Sequence, residues 1–132
     1  MQTNRFVRQV QLHLLGGNEH KPTAAEAEKA IAVTLQTLAE CLNPEQAQKL
    51  ASHLPTTINQ PLLLLTQRPL TTLPKFFLLV AQREKMPLAF AIHHTRTVIA
   101  ILQKAVPLPI IEEIRSHLPP DFDVLFPKKH AP

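Results

Sequence analysis

The sequence runs to 132 residues, 45% of them apolar, with a formal net charge of +4. A chain of this length buries one ordinary core, so residues 1–132 are expected to form a single helical domain. Its aromatic content of 5% is all Phe, which argues against stacking platforms for bases or sugars, and its only glycines, Gly16 and Gly17, argue against a glycine-rich phosphate loop further along.

Helix one is expected over Arg5 to Leu15, capped by Asn4 and ended by Gly16-Gly17, with Phe6, Val7, Val10 and Leu14 on one face. A capping box, Thr23-x-x-Glu26, opens helix two, in which Ala27, Ile31, Leu35, Leu38 and Leu42 recur at threes and fours. Asn43-Pro44 ends that helix and starts helix three, where Gln46 completes a second box and Ala47, Leu50, Ala51 and Leu54 form the buried stripe. Pro55 then bends the chain into a shorter apolar segment, Thr56 to Leu65, interrupted by Pro61.

Residues 66–73 are expected to link two halves. Helix five follows over Pro74 to Lys85, and Met86-Pro87 starts helix six, whose stripe is Leu88, Ile92, Thr95, Ile99, Leu102 and Val106. Pro107 and Pro109 break it. Ile110 to Leu118 forms helix seven, Pro119 to Phe126 a last short helix, and 127–132 a frayed tail. Seven of the thirteen prolines fall at expected helix starts, and Pro inside a strand would remove ladder hydrogen bonds, so the fold class is all-α with about eight short helices.

Ser52-His53-Leu54-Pro55 recurs as Ser116-His117-Leu118-Pro119, 64 residues on. At the same offset Leu35, Leu38, Leu42, Leu50 and Leu54 fall on Ile99, Leu102, Val106, Ile114 and Leu118, so every matched pair is aliphatic. Two repeat units, about 5–65 and about 74–126, are therefore expected to share one core as a pseudo-symmetric bundle. The run Ala25-Glu-Ala-Glu-Lys-Ala-Ile through Leu42-Asn-Pro-Glu-Gln-Ala, ending in Ala51-Ser-His-Leu-Pro, resembles the bacterial family catalogued as domain of unknown function 2267. The resemblance covers roughly residues 5–126 and implies a duplicated helical fold with no established activity. Where that family tends to carry an aromatic stretch ending in Gly-Trp after Pro55, this chain has Ile58-Asn-Gln-Pro-Leu-Leu-Leu-Leu.

Candidate chemistry is sparse. His53 and His117 hold equivalent places before a Pro, and they read either as metal ligands brought together by the symmetry or as rings that bond terminal carbonyls or complement helix dipoles. A zinc site needs at least three protein ligands, and no Cys or carboxylate stands at ligand spacing from either His. His93 and His94 are adjacent on a helix and diverge by about 100°, which disfavours chelation and points one of them to solvent. Cys41 aligns with Ala105 and reads as a small packing position; alone, it excludes an internal disulfide. Glu112 and Glu113 point apart, and Asp121 is expected to complement the N-terminus of the last short helix, in which it sits.

Residues 1–66 hold five Lys/Arg against five Glu, and residues 67–132 hold nine against five acids. Arg68, Lys75, Arg83, Lys85, Arg96 and Lys104 surround one acid, Glu84, and form a possible anion-binding segment or a solvated helix face. Leu62, Leu63 and Leu65, with Phe76, Phe77 and Leu79, exceed what one face of a small bundle needs; they lie either centrally between the halves or at an oligomer or partner interface. The longest apolar stretches fall far short of the roughly 20 residues that span a bilayer, so a cytoplasmic location and no membrane partner are expected. The leading expectation is a non-catalytic protein-interaction or regulatory module, possible as a homo-oligomer and needing no cofactor. The alternatives are a nucleic-acid-binding domain using residues 68–104 and a His-based metal-dependent enzyme.

Overall fold

In the computed structural model, which describes residues 2–14, 22–63 and 72–126, the local sequence rules for helices are met at most of the expected places. Thr23 Oγ1 accepts from the Glu26 amide at 3.1 Å and opens α2 (Ala24–Glu40), which follows α1 (Thr3–Leu14). Asn43 and Gln46 exchange both bonds of a capping box at the start of α3 (Pro44–Ala51). In the second half α4 (Leu73–Glu84) is capped by Thr72, α5 (Leu88–Ala105) starts after Pro87, and α6 (Leu108–His117) starts after Pro107. The described residues are all-α, and no helix among them is long and apolar enough to cross a membrane.

Several boundaries differ from the sequence reading. Of the apolar segment expected over Thr56 to Leu65, the described residues 56–63 form a turn followed by one 3₁₀ turn, Gln60–Leu63, because Pro61 has no amide to donate and the side chain of Asn59 is drawn back to the Ala51 carbonyl at 3.1 Å. The last segment is likewise a 3₁₀ turn, Pro120–Val124, between Pro119 and Phe126. Helix α6 begins two residues earlier than expected, since Pro109 occupies its first turn, where a missing amide costs nothing. Helix α1 begins at Thr3, ahead of Asn4. Gly16-Gly17, most of the linker 66–73 and the tail 127–132 lie outside the described residues.

Helices α2 and α5 form the centre and pack on each other; α1 and α4 flank them, each touching both. Helix α3 packs on α6 and on the first 3₁₀ turn. Ala27, Ile31, Leu35, Leu38 and Leu42 from α2 and its end meet Ile99, Leu102 and Val106 from α5 and its end, all buried. Phe76 of α4 and Phe122 of the second 3₁₀ turn are both fully buried and meet edge to face, 5.4 Å between centroids and 88° between planes. Beside them Asp121 Oδ2 accepts from the Leu73 amide at 2.8 Å, so the carboxylate expected at the start of its own last helix bonds instead to the start of α4, 48 residues away in sequence. The expected α5 stripe breaks at one end: Leu88 is 43% exposed because it lies in the first turn, beyond the packed centre.

Candidate functional site

Sequence order puts Glu84 on the face of α4 that carries Phe76, Phe77 and Val80, where a fourth apolar residue would continue the buried stripe. The carboxylate is therefore carried into the bundle, where Glu84 is 2% exposed. Such burial is tolerated only with a partner. His94 supplies one: its Nδ1 donates to Glu84 Oε2 at 2.8 Å, and His94 is itself only 7% exposed. The second oxygen, Glu84 Oε1, is buried with no hydrogen-bond partner. In the neutral tautomer with its proton on Nδ1, His94 has an acceptor left at Nε2, which bonds no described residue.

The connection between α4 and α5 brings the two residues together. Lys85 adopts the left-handed conformation, φ 58° and ψ 49°. Its amide donates to the Gln82 carbonyl at 3.3 Å and that of Met86 to the Ala81 carbonyl at 3.1 Å, the paired bonds that end a helix sharply. Pro87 then starts α5 at once, so α5 runs back along α4 and His94 stands beside Glu84.

A cavity of about 350 Å³ opens at this pair. Glu84, His93, His94 and Phe90 line it from the second half, with Met86 and Pro87 from the turn. Leu14, Pro22, Glu26 and Lys29 line it from the first half. Several of these residues are matched at the sequence offset: Pro22 with Met86, Glu26 with Phe90 and Lys29 with His93 are each 64 positions apart, and Leu14 and Glu84 are the last residues of α1 and α4. His93 donates through Nε2 to the Leu14 carbonyl at 3.4 Å, tying α5 to the end of α1 across the opening. The expectation that one of His93 and His94 faces solvent is corrected: one is buried, the other half-buried, and both line the cavity.

Sequence reading missed this site. Glu84 entered it only as the lone acid among basic residues, and its pairing with His94 depends on a turn whose left-handed residue is a Lys and not a Gly. The available sign was register, since Glu84 interrupts the spacing Phe76, Val80.

The residues singled out from sequence lie elsewhere. His53 is exposed in the turn after α3, and His117 is the half-exposed last residue of α6; neither ring bonds a described residue, so the expected bond to a terminal carbonyl is absent there. No group of three His, Cys, Asp or Glu among the described residues can hold a metal ion. Leu62, Phe76 and Phe77 are buried in the chain's own core and Leu79 is half-buried; Leu63, 44% exposed, and Leu78, 49% exposed, face outward. Burial of three of these residues within one copy removes them from any partner surface. Leu65 lies outside the described residues, as does Arg68.

Of the remaining basic residues, Arg83 is spent inside the bundle. Its guanidinium donates to both Glu40 oxygens at 2.9 Å and to Thr37 Oγ1 at 3.0 Å, locking α4 to α2. Lys75 and Lys85 stand at opposite ends of α4, and Arg96 and Lys104 are exposed on α5. Cys41 is buried, with Sγ directed to the Thr37 carbonyl at 3.5 Å. Glu112 pairs with Arg115 and Glu113 with Lys49, so the two adjacent carboxylates do point apart.

No curated protein matches the chain. Residues 3–125 match the family described as uncharacterized conserved protein, DUF2267, and the chain belongs to that family.

Proposed function

We propose that this member of the family is a non-catalytic binding module of regulatory type, which takes a small molecule in the cavity between its halves. The carrying observation is the unpartnered, buried Oε1 of Glu84, a residue that lines that cavity. A buried carboxylate oxygen without a donor costs free energy that an apolar side chain at the same position would not. Helices α1 and α4 are both 12 residues long, and Leu14 ends the first where Glu84 ends the second. If the halves are repeats, Ala30 stands where His94 does, 64 positions earlier, so the fold itself is content with an apolar pair there. The polar pair then calls for another explanation, and a ligand supplies it.

The size is suitable, since about 350 Å³ falls at the lower end of the range of roughly 300–1,000 Å³ typical of small-molecule sites. Junctions between structural units are favoured places for such sites. A binding role is supported over a catalytic one because the dyad hydrogen-bonds no hydroxyl or thiol among the described residues, and nucleophilic catalysis needs one within reach of its base.

The reading is tested by screening a mixed fragment library with backbone amide chemical shifts as the readout. Perturbations are expected to cluster at Leu14, Met86, Phe90 and His93, and Met86→Trp, which fills the opening, is expected to abolish them while the fold is retained. Shifts that scatter over the surface, or that survive Met86→Trp unchanged, would sink the reading.

A further inference from the structure

We infer that the cavity takes a phenol, whose hydroxyl donates to His94 Nε2. The inference rests on the binding reading above and adds the class of ligand and the atom that holds it.

The carboxylate fixes what His94 can offer. His94 Nδ1 donates to Glu84 Oε2 at 2.8 Å, so the neutral ring carries its proton there and keeps a lone pair on Nε2, at the edge turned away from Glu84. That nitrogen bonds no described residue. Glu84 itself is closed off, its side chain 1% exposed and its Oε1 buried, so it meets no occupant and acts through the ring. The His94 side chain keeps 9% of its surface accessible, and His94 lines the cavity. On the neighbouring ring, His93 Nε2 is already spent on the Leu14 carbonyl at 3.4 Å.

An accepting nitrogen selects an occupant that brings a hydrogen. A carboxylate behind an imidazole raises the basicity of the far nitrogen, and the bond which that nitrogen accepts strengthens with the acidity of the donor. A phenol is a more acidic hydroxyl than an alcohol, so it gains most from this acceptor. Being neutral, it also enters without the desolvation cost that an ion would carry to a site whose carboxylate is enclosed.

The ring of the ligand has a place as well. Phe90 stands at the opening 45% exposed, an aromatic surface that a second ring would cover, and the Met86 thioether lies on the same cavity.

The test compares p-cresol, 4-methylanisole and p-xylene, which differ at one substituent: a hydroxyl that donates, an ether oxygen that only accepts, and a methyl that does neither. Binding to the full chain is followed by amide chemical shifts, and the anchor by the imidazole nitrogen resonances of His93 and His94. An apolar cavity without an acceptor would prefer p-xylene, since a hydroxyl buried without a partner costs free energy. Here p-cresol is expected to bind about tenfold or more tightly than either of the others, a gap of about 1.4 kcal/mol per tenfold, and to move the His94 Nε2 resonance as the others do not. The double variant Glu84→Leu with His94→Ala removes the anchor without stranding the carboxylate, and it is expected to reverse the order in favour of p-xylene. Should that variant fail to fold, the Nε2 resonance of the parent decides the matter. Binding of p-xylene or 4-methylanisole as tight as that of p-cresol, a protonated Nε2 in the free protein, or a response at His93 in place of His94 would overturn the phenol class and leave the cavity as a binding site. No binding of any of the three at millimolar concentration would overturn both.

Discussion

Lys49 Nζ and Glu113 Oε1 lie 3.2 Å apart, joining α3 to α6 through two residues that are 64 positions apart in the sequence. That separation is the repeat offset read from Ser52-His53-Leu54-Pro55 and its echo. A residue touches its own equivalent only near a two-fold axis. We propose that the two units read from the sequence are related by such an axis, with the packing of α2 on α5 close to it.

The pair itself is exposed on both sides, so its own stabilisation is expected to be about 0.2–1 kcal/mol. Glu45 lies 3.9 Å from the same ammonium. Lys49→Glu therefore sets three carboxylates together and is expected to lower the urea midpoint measurably, and Glu113→Lys added to it is expected to recover most of the loss. A double-mutant cycle with no coupling would show that the two side chains are held together by the packing of α3 on α6 alone.

The Glu84–His94 pair makes a sharper prediction. His94→Ala leaves a buried carboxylate with neither oxygen bonded and is expected to cost about 3–5 kcal/mol. Adding Glu84→Leu removes the stranded charge, and the double variant is expected to return to within about 1 kcal/mol of the parent or to exceed it. Equilibrium urea unfolding of the parent, both single variants and the double variant measures this directly. A double variant less stable than His94→Ala would mean that the pair is required by the fold, which would remove the argument for a ligand.

Helix-level structure was legible because its causes are local. Thr23, Asn43 and Gln46 announce their caps within four residues, and the stripe Ala27, Ile31, Leu35, Leu38 states which face of α2 is buried. The Thr56 to Leu65 segment was less legible, since apolar content cannot tell a 3₁₀ turn from a helix and the bond from Asn59 back to Ala51 is not announced by the sequence. The site was not legible at all. Glu84 meets His94 only because the chain reverses between them, and the surplus of apolar residues at Leu62, Phe76 and Phe77 was explained by Phe122 and the rest of the core arriving from a distant segment.

Arg83 gives a third prediction. Its bonds to Glu40 and Thr37 span from α4 to α2, with Glu40 6% and Arg83 20% exposed at the side chain. Arg83→Met removes charge-assisted bonds to a buried carboxylate, and a loss of about 1.5–3 kcal/mol is expected. Arg83→Lys keeps the charge but loses the forked geometry, so it is expected to lie between Arg83→Met and the parent. If Arg83→Met were as stable as the parent, this guanidinium would be available to an anion after all, and the basic segment 68–104 would regain its weight as a nucleic-acid surface.

The turn that assembles the cavity carries the last prediction. Lys85 is the one described non-glycine residue with positive φ, at 58°, and left-handed backbone costs an L-residue with a Cβ roughly 1–2 kcal/mol. Glycine is free of that cost but loses more backbone entropy on folding, which offsets part of the gain. Lys85→Gly is therefore expected to raise stability by about 0.5–1 kcal/mol, and Lys85→Val, whose branched side chain crowds this conformation further, to lower it by at least as much. The Lys85 side chain is exposed and does not line the cavity, so Lys85→Gly is also expected to leave fragment-induced amide shifts at Leu14, Phe90 and His93 unchanged. Denaturant midpoints and the same fragment screen decide both points. A Lys85→Gly variant that is stabilised but loses those shifts would show that the left-handed turn holds the cavity open by more than its backbone conformation.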